Sequence, residues 1–209
     1  MYTLYGRENT GSMVIEAVLE ETAAPYKLID VTRDSAGRPP EDYLRINPLG
    51  QVPALRLPDG STMTESAAIA IYLSDKYPET QLSPPLASPL RPTFLRWMIF
   101  LAANVYTSDL RIYYPGRYTA SLDAADSVKA AAVRAMAGEW EVYANALSTN
   151  TYTLGDTFTV VDIYAAMLAT WNLDVPAFFI KHPNVHALYE RVVARPAVAR
   201  VWKRHRVQF

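Results

Sequence analysis

The stretch Asn47-Pro-Leu-Gly-Gln-Val-Pro-Ala-Leu55 decides how this chain is read, because Pro53 interrupts what otherwise looks like the start of a buried strand. Proline has no N–H to give a sheet ladder, so within sheets it stands at edges, first positions or bulges. On one side, Asn47-Pro48-Leu49-Gly50 has the composition of a turn. On the other, Val52 to Leu57 and Ser61 to Thr64 are two short apolar runs joined by Pro58-Asp59-Gly60, a hairpin signal.

Working outward, residues 1–80 alternate in type. Tyr2 to Tyr5 predicts a strand, Ser12 to Thr22 a helix with Ser12 as its N-cap, and Tyr26 to Val31 a second strand. Val14, Ile15, Val18 and Leu19 share one helical face, and Pro25 stops the helix. A short helix over Asp42 to Ile46 precedes the turn, and Glu65 to Tyr77 carries helical periodicity up to Pro78. The order predicts a small α/β domain with a mixed sheet. Prolines 84, 85, 89 and 92 mark a linker over 81–91, and beyond it alanine-rich helical spacing runs over about 92–110, 124–147, 160–173, 185–194 and 197–205. An all-α domain is therefore expected over 92–209.

Composition excludes several classes of chemistry. Half of the 209 residues are hydrophobic or aromatic and the net charge is −1, so a globular core is expected and no global field recruits nucleic acid. Without cysteine there is no disulfide, thiol nucleophile or thiolate metal site. Neither a secretory leader nor a membrane span is indicated, since the longest apolar-rich run, Trp97 to Tyr106, is well short of the ~20 residues that cross a bilayer. His182 and His186 stand at i, i+4 but lack a third ligand and read as solvated residues at a helix start, so no metal is expected. The basic run Lys203-Arg204-His205-Arg206 reads as a solvated helix C-terminus. Thr159 and Asp162 have capping-box spacing, which makes Asp162 a structural residue.

Taken together, NPLGQVPAL with DGSTMTESAAIAIYL, then GDTFTVVDIYAAM, then HPNVHALYERVVARPAV resemble the glutathione transferase family in its bacterial-type cytosolic form, over essentially the whole chain. The resemblance implies a thioredoxin-like N-terminal domain before a helical domain, a cytoplasmic homodimer, and conjugation of glutathione to small hydrophobic electrophiles in detoxification. Glutathione is the implied co-substrate, with no metal, nucleic acid or membrane partner. Val52-Pro53 matches the family's cis-proline dipeptide, which turns the Val52 backbone toward a peptide-like ligand that pairs as an added strand. Glu65-Ser66 matches its acidic-serine pair: the Ser66 amide and hydroxyl suit the γ-glutamyl carboxylate, Glu65 the α-ammonium, and Gln51 adds a polar contact.

The thiolate-stabilising group is open among Ser12, Tyr5, Thr10 and Asn9 or the loop amides, all within Tyr5 to Met13. Ser12 as a plain cap and Tyr5 as a packing residue are equally consistent with the sequence. The electrophile is expected to meet an aromatic wall with one cation, drawn from Trp97, Phe100, Tyr106, Arg111, Tyr113 and Tyr114, although these also read as core. Two other outcomes stay open: a non-catalytic ligand-binding protein of the same fold, and a glutathione-dependent isomerase, dehalogenase or peroxidase.

Overall fold

The computed structural model describes residues 1–207. Contacts divide them into two compact units, one of residues 1–85 together with 192–207, the other of residues 86–191.

In the first unit, β1 (Tyr2–Gly6) lies between β2 (Tyr26–Asp30) and β3 (Ala54–Arg56), with β4 (Thr62–Met63) outermost next to β3. β1 and β2 run parallel, joined by α1 (Ser12–Glu21), whereas β3 is antiparallel to β1 and β4 to β3. This is the mixed sheet the periodicity predicts. A short α2 (Glu41–Leu44) precedes β3, and α3 (Ser66–Lys76) follows β4.

α1 is buried on more than the one face its spacing predicts: every residue from Ser12 to Leu19 is buried, Glu16 included. The cause is its neighbours, since α1 packs on β1, α3 and α10 (Pro196–Arg204). α10 presents Val198, Val201 and Trp202 as its buried side. Its basic residues pair with the acidic ones of α1. Arg195 forks onto Glu21 at 2.9 and 2.7 Å, Arg200 reaches Glu20 at 3.0 Å, and Arg204 pairs with Glu16. The terminal helix therefore belongs to the first unit rather than to the helical domain expected over 92–209, and its basic run is partnered instead of merely solvated.

The second unit is all helical: α4 (Arg91–Phe100), a π-helical segment (Leu101–Val105), α5 (Tyr106–Tyr113), α6 (Ala125–Leu147), α7 (Val160–Ala169), α8 (Val175–Lys181) and most of α9 (Pro183–Val193). α7 is buried along its full length and begins in a closed capping box, the Thr159 amide donating to Asp162 Oδ2 at 2.7 Å. The spacing predicts one helix over 160–173, but α7 stops at Ala169 and the separate α8 follows, started by Pro176 and by Asp174, whose carboxylate accepts from the Ala177 amide at 2.9 Å. Seven residues are too few for periodicity to reveal.

His182 is buried rather than solvated, and burial lowers its pKa; His186 stacks on Phe179 at 4.5 Å. Among the described residues no group of three His, Cys, Asp or Glu could hold a metal ion, and no helix is long and apolar enough to cross a membrane.

Candidate functional site

Three segments meet at one end of the sheet because of its register. Tyr5 stands opposite Ala54, and Leu55 opposite Met63. Carried outward, the same register brings Gly6, Val52-Pro53 and Glu65-Ser66 level with one another: the loop after β1, the turn before β3 and the start of α3.

The turn before β3 is held by hydrogen bonds from behind. Arg33 Nη2 donates to the Gly50 carbonyl at 2.8 Å, while Tyr43 Oη and Asn47 Nδ2 donate to the Gln51 carbonyl at 2.5 and 2.7 Å. Gly50 has φ of 63° and a Cβ there would stand 2.7 Å from Pro39 Cγ, so only glycine fits. The Val52-Pro53 peptide is cis, Pro53 is buried, and the ladder resumes at Ala54. Val52 thus precedes the ladder, half-buried, with the exposed Gln51 beside it.

α3 starts without a side-chain cap. Glu65 occupies the N-cap position at φ of 65°, exposed and making no capping hydrogen bond, while Ser66 is buried at the first helical position. The positive end of the helix dipole at this turn suits an anion, and the Glu65 carboxylate next to it suits a cation.

The loop after β1 separates the hydroxyls that the sequence left open. Ser12 is not the N-cap of α1 but its first residue, following Gly11. Its hydroxyl donates to the Arg7 carbonyl at 3.0 Å and accepts the Arg7 amide at 3.2 Å, and the residue is 1% exposed. Thr10 Oγ1 donates to the same carbonyl at 2.7 Å and lies 2.9 Å from Ser12 Oγ. A hydroxyl carries one proton, so this knot occupies both. Gly6 permits it, since a Cβ there would stand 2.7 Å from Ser12 Cβ and Oγ. Tyr5 is buried with its ring 5.8 Å from that of Tyr43. Asn9 differs from all three: it is exposed and holds φ of 53°, a left-handed conformation that asparagine tolerates. Its amide donates to His205 Nδ1 at 3.1 Å, and His205 Nε2 lies 2.8 Å from the buried Glu16 Oε2. Burial, then the Arg204 cation, push His205 down to about 4 against the pull of Glu8.

In the helical unit the expected aromatic wall divides into separate groups. Trp97 is core, edge-on to Phe100 and Tyr143. Tyr106 packs edge-on to Trp171 at 5.1 Å, and Tyr113 Oη donates to the Trp171 carbonyl at 2.7 Å. Arg111 lies over Tyr118, and Arg117 over Tyr114. A cleft in this unit, lined by Met136, Trp140, Leu173, Phe178, Lys181 and His182 among others, uses none of the six expected residues.

Sequence reasoning missed Glu16, His205 and Asp109. The first two are 189 residues apart, so no local spacing joins them. Asp109 is 2% exposed and neither of its carboxylate oxygens has a hydrogen-bond partner, and burial followed by the nearby Glu139 push its pKa well above the usual carboxylate range.

Comparison with known proteins matches residues 12–76 to the glutathione S-transferase N-terminal domain and residues 101–196 to the glutathione S-transferase C-terminal domain. The chain is 31% identical over 208 residues to the uncharacterized GST-like protein YncG of Escherichia coli K12, covering 99% of this chain and all of that one. It is 29% identical to glutathione S-transferase GstA of Escherichia coli O157:H7, over 93% of this chain and 94% of the relative. Among solved structures, a glutathione transferase homolog from Sulfitobacter with bound glutathione superposes with a TM-score of 0.88 at 26% identity, covering 98% of both chains.

Proposed function

Starting from a chain that belongs to the glutathione S-transferase family, we propose that this protein binds reduced glutathione at the sheet end described above, stabilises its thiolate and transfers it to small hydrophobic electrophiles. The observation that carries the reading is the register that brings Val52-Pro53, Glu65-Ser66 and the loop after β1 level at one sheet end. Each segment answers one part of the tripeptide. The Ser66 amide at the α3 N-terminus takes the γ-glutamyl carboxylate, Glu65 the α-ammonium, the Val52 backbone the cysteinyl unit, and Gln51 adds a polar contact.

The thiol has an ordinary pKa near ~8.5, so at neutral pH a donor must hold its ionised form. With Ser12 and Thr10 engaged at Arg7 and Tyr5 buried, the Asn9 carboxamide is an exposed donor that requires no hydrogen bond to be broken. The thiol proton leaves to solvent, the thiolate forms a C–S bond to the electrophilic carbon, and the displaced group departs with the bonding pair. The protein is proposed to work as a cytoplasmic homodimer in detoxification.

A glutathione titration coupled to a pH titration of thiolate absorbance tests this. Saturable binding with a thiol pKa lowered by about one unit or more is expected. Binding with an unlowered thiol pKa overturns the transferase reading and leaves a ligand-binding protein, an outcome favoured by the engaged hydroxyls of Ser12 and Thr10. Absence of binding overturns both.

A further inference from the structure

We propose that His205, on the last turn beyond α10, is a positioning residue that sets Asn9 through a single backbone hydrogen bond and thereby tunes the thiolate donor. The inference rests on the glutathione reading above and extends it to a residue 196 positions away in the chain.

The direction of each bond follows from the donor inventory. The Asn9 amide can only donate, so His205 Nδ1, at 3.1 Å, must be unprotonated and accept. The other nitrogen, Nε2, then carries the proton and donates to Glu16 Oε2 at 2.8 Å. Glu16 is fully buried, and its other oxygen forms an ion pair with Arg204. Arg204 in turn reaches Glu20 and the Tyr26 hydroxyl, tying the network to α1 and β2. The result is a rigid relay: cation, carboxylate, neutral imidazole, amide. At its end Asn9 is held at φ of 53°, a conformation that costs a non-glycine residue free energy unless its surroundings determine it. Releasing that amide frees the loop to relax, and the carboxamide leaves the position from which it meets a thiolate. Tight positioning of a donor is what gives it catalytic value.

Two substitutions separate the halves of the relay. His205→Asn places an amide oxygen near the position of Nδ1, preserving the acceptor for Asn9 but losing Glu16. His205→Gln places its amide near Nε2, preserving contact with Glu16 but leaving the Asn9 amide unpaired. Amide hydrogen exchange at Asn9 in the ligand-free protein, and the pKa of glutathione's thiol in the complex, are measured for wild type and both variants. In His205→Gln the Asn9 amide should exchange roughly tenfold faster and the bound thiol's pKa should rise by about one unit, with kcat/KM falling roughly tenfold and glutathione affinity within about twofold of wild type. His205→Asn should stay near wild type in both readouts. Unchanged Asn9 exchange in His205→Gln overturns the anchor, whatever the protein does with glutathione. Faster exchange with an unmoved thiol pKa overturns the positioning role and leaves a structural contact. Wild-type protein that fails to bind glutathione overturns the reading of the site, while the exchange result still decides whether the anchor exists.

Discussion

The start of α7 and the start of α1 each hold a buried, hydrogen-bonded polar side chain, Asp162 and Ser12, yet they are built in opposite ways. At α7, Asp162 accepts from the Thr153 amide and hydroxyl at 2.8 and 2.6 Å and from the Thr159 amide at 2.7 Å, all within nine residues of itself. At α1, the loop closes on itself through Ser12 and Arg7 but is also anchored by His205 from the far end of the chain. The first arrangement is local and serves the fold. The second leaves the Asn9 side chain exposed at the proposed site, and holds its backbone from outside the loop. A structural cap satisfies its own donors; a positioned donor needs something else to hold its backbone.

The largest way to break the contrast is Asp162→Ala. It leaves the Thr153 and Thr159 donors buried and unpaired, and should cost about 3–5 kcal/mol in denaturant unfolding while leaving the thiol pKa of the folded fraction unchanged. A shifted thiol pKa would mean that the two helix starts are not independent.

Acid should act at α1. His205 is held below its ordinary value of 6.5 down to about 4, so the folded state resists protonation: its contribution is complete above about pH 6.5 and is lost as pH falls toward 4, by roughly 2–3 kcal/mol. Glu16, Arg204 and Glu8 are the charges that face it. Unfolding measured across that window should show this loss in wild type and not in His205→Asn.

Asp109 is the counter-example to Asp162, buried without donors. Its raised pKa makes a contribution that is complete below about 3.8 and lost as pH rises through the folded value. Asp109→Asn removes that loss. It should stabilise by about 2 kcal/mol near neutral pH and by less in acid, seen as a pH-dependent rise in the denaturation midpoint.

The smallest effect distinguishes Ser12 from Asn9. Ser12→Ala should cost about 1 kcal/mol of stability through the lost bond to Arg7, whereas Asn9→Gly, which keeps the left-handed backbone and removes the carboxamide, should leave stability nearly unchanged and raise the bound thiol's pKa by about one unit. The reverse pattern would return the donor role to Ser12.

The capping box, the hairpin, the turn before β3 and the α/β-then-helical order were all legible in the sequence, because each is written in residues at fixed short spacing. Thr159 and Asp162 stand three apart; Pro58-Asp59-Gly60 sits between two apolar runs. The residues of the proposed glutathione site were legible for the same reason, as two short motifs and a turn. Their alignment followed only from strand register, which sets Tyr5 opposite Ala54 and Leu55 opposite Met63.

What the sequence by itself determined is therefore the set of parts: the two halves, their helix starts and the candidate residues around Val52-Pro53, Glu65-Ser66 and Tyr5 to Ser12. The tertiary structure alone decided which hydroxyls are already engaged, why Glu16 tolerates full burial, and that α10 joins the first unit with His205 against Asn9. Periodicity and capping act over a few residues and leave a local mark, whereas the pairing of Glu16 with His205 arises from packing between α1 and α10, which no local pattern encodes.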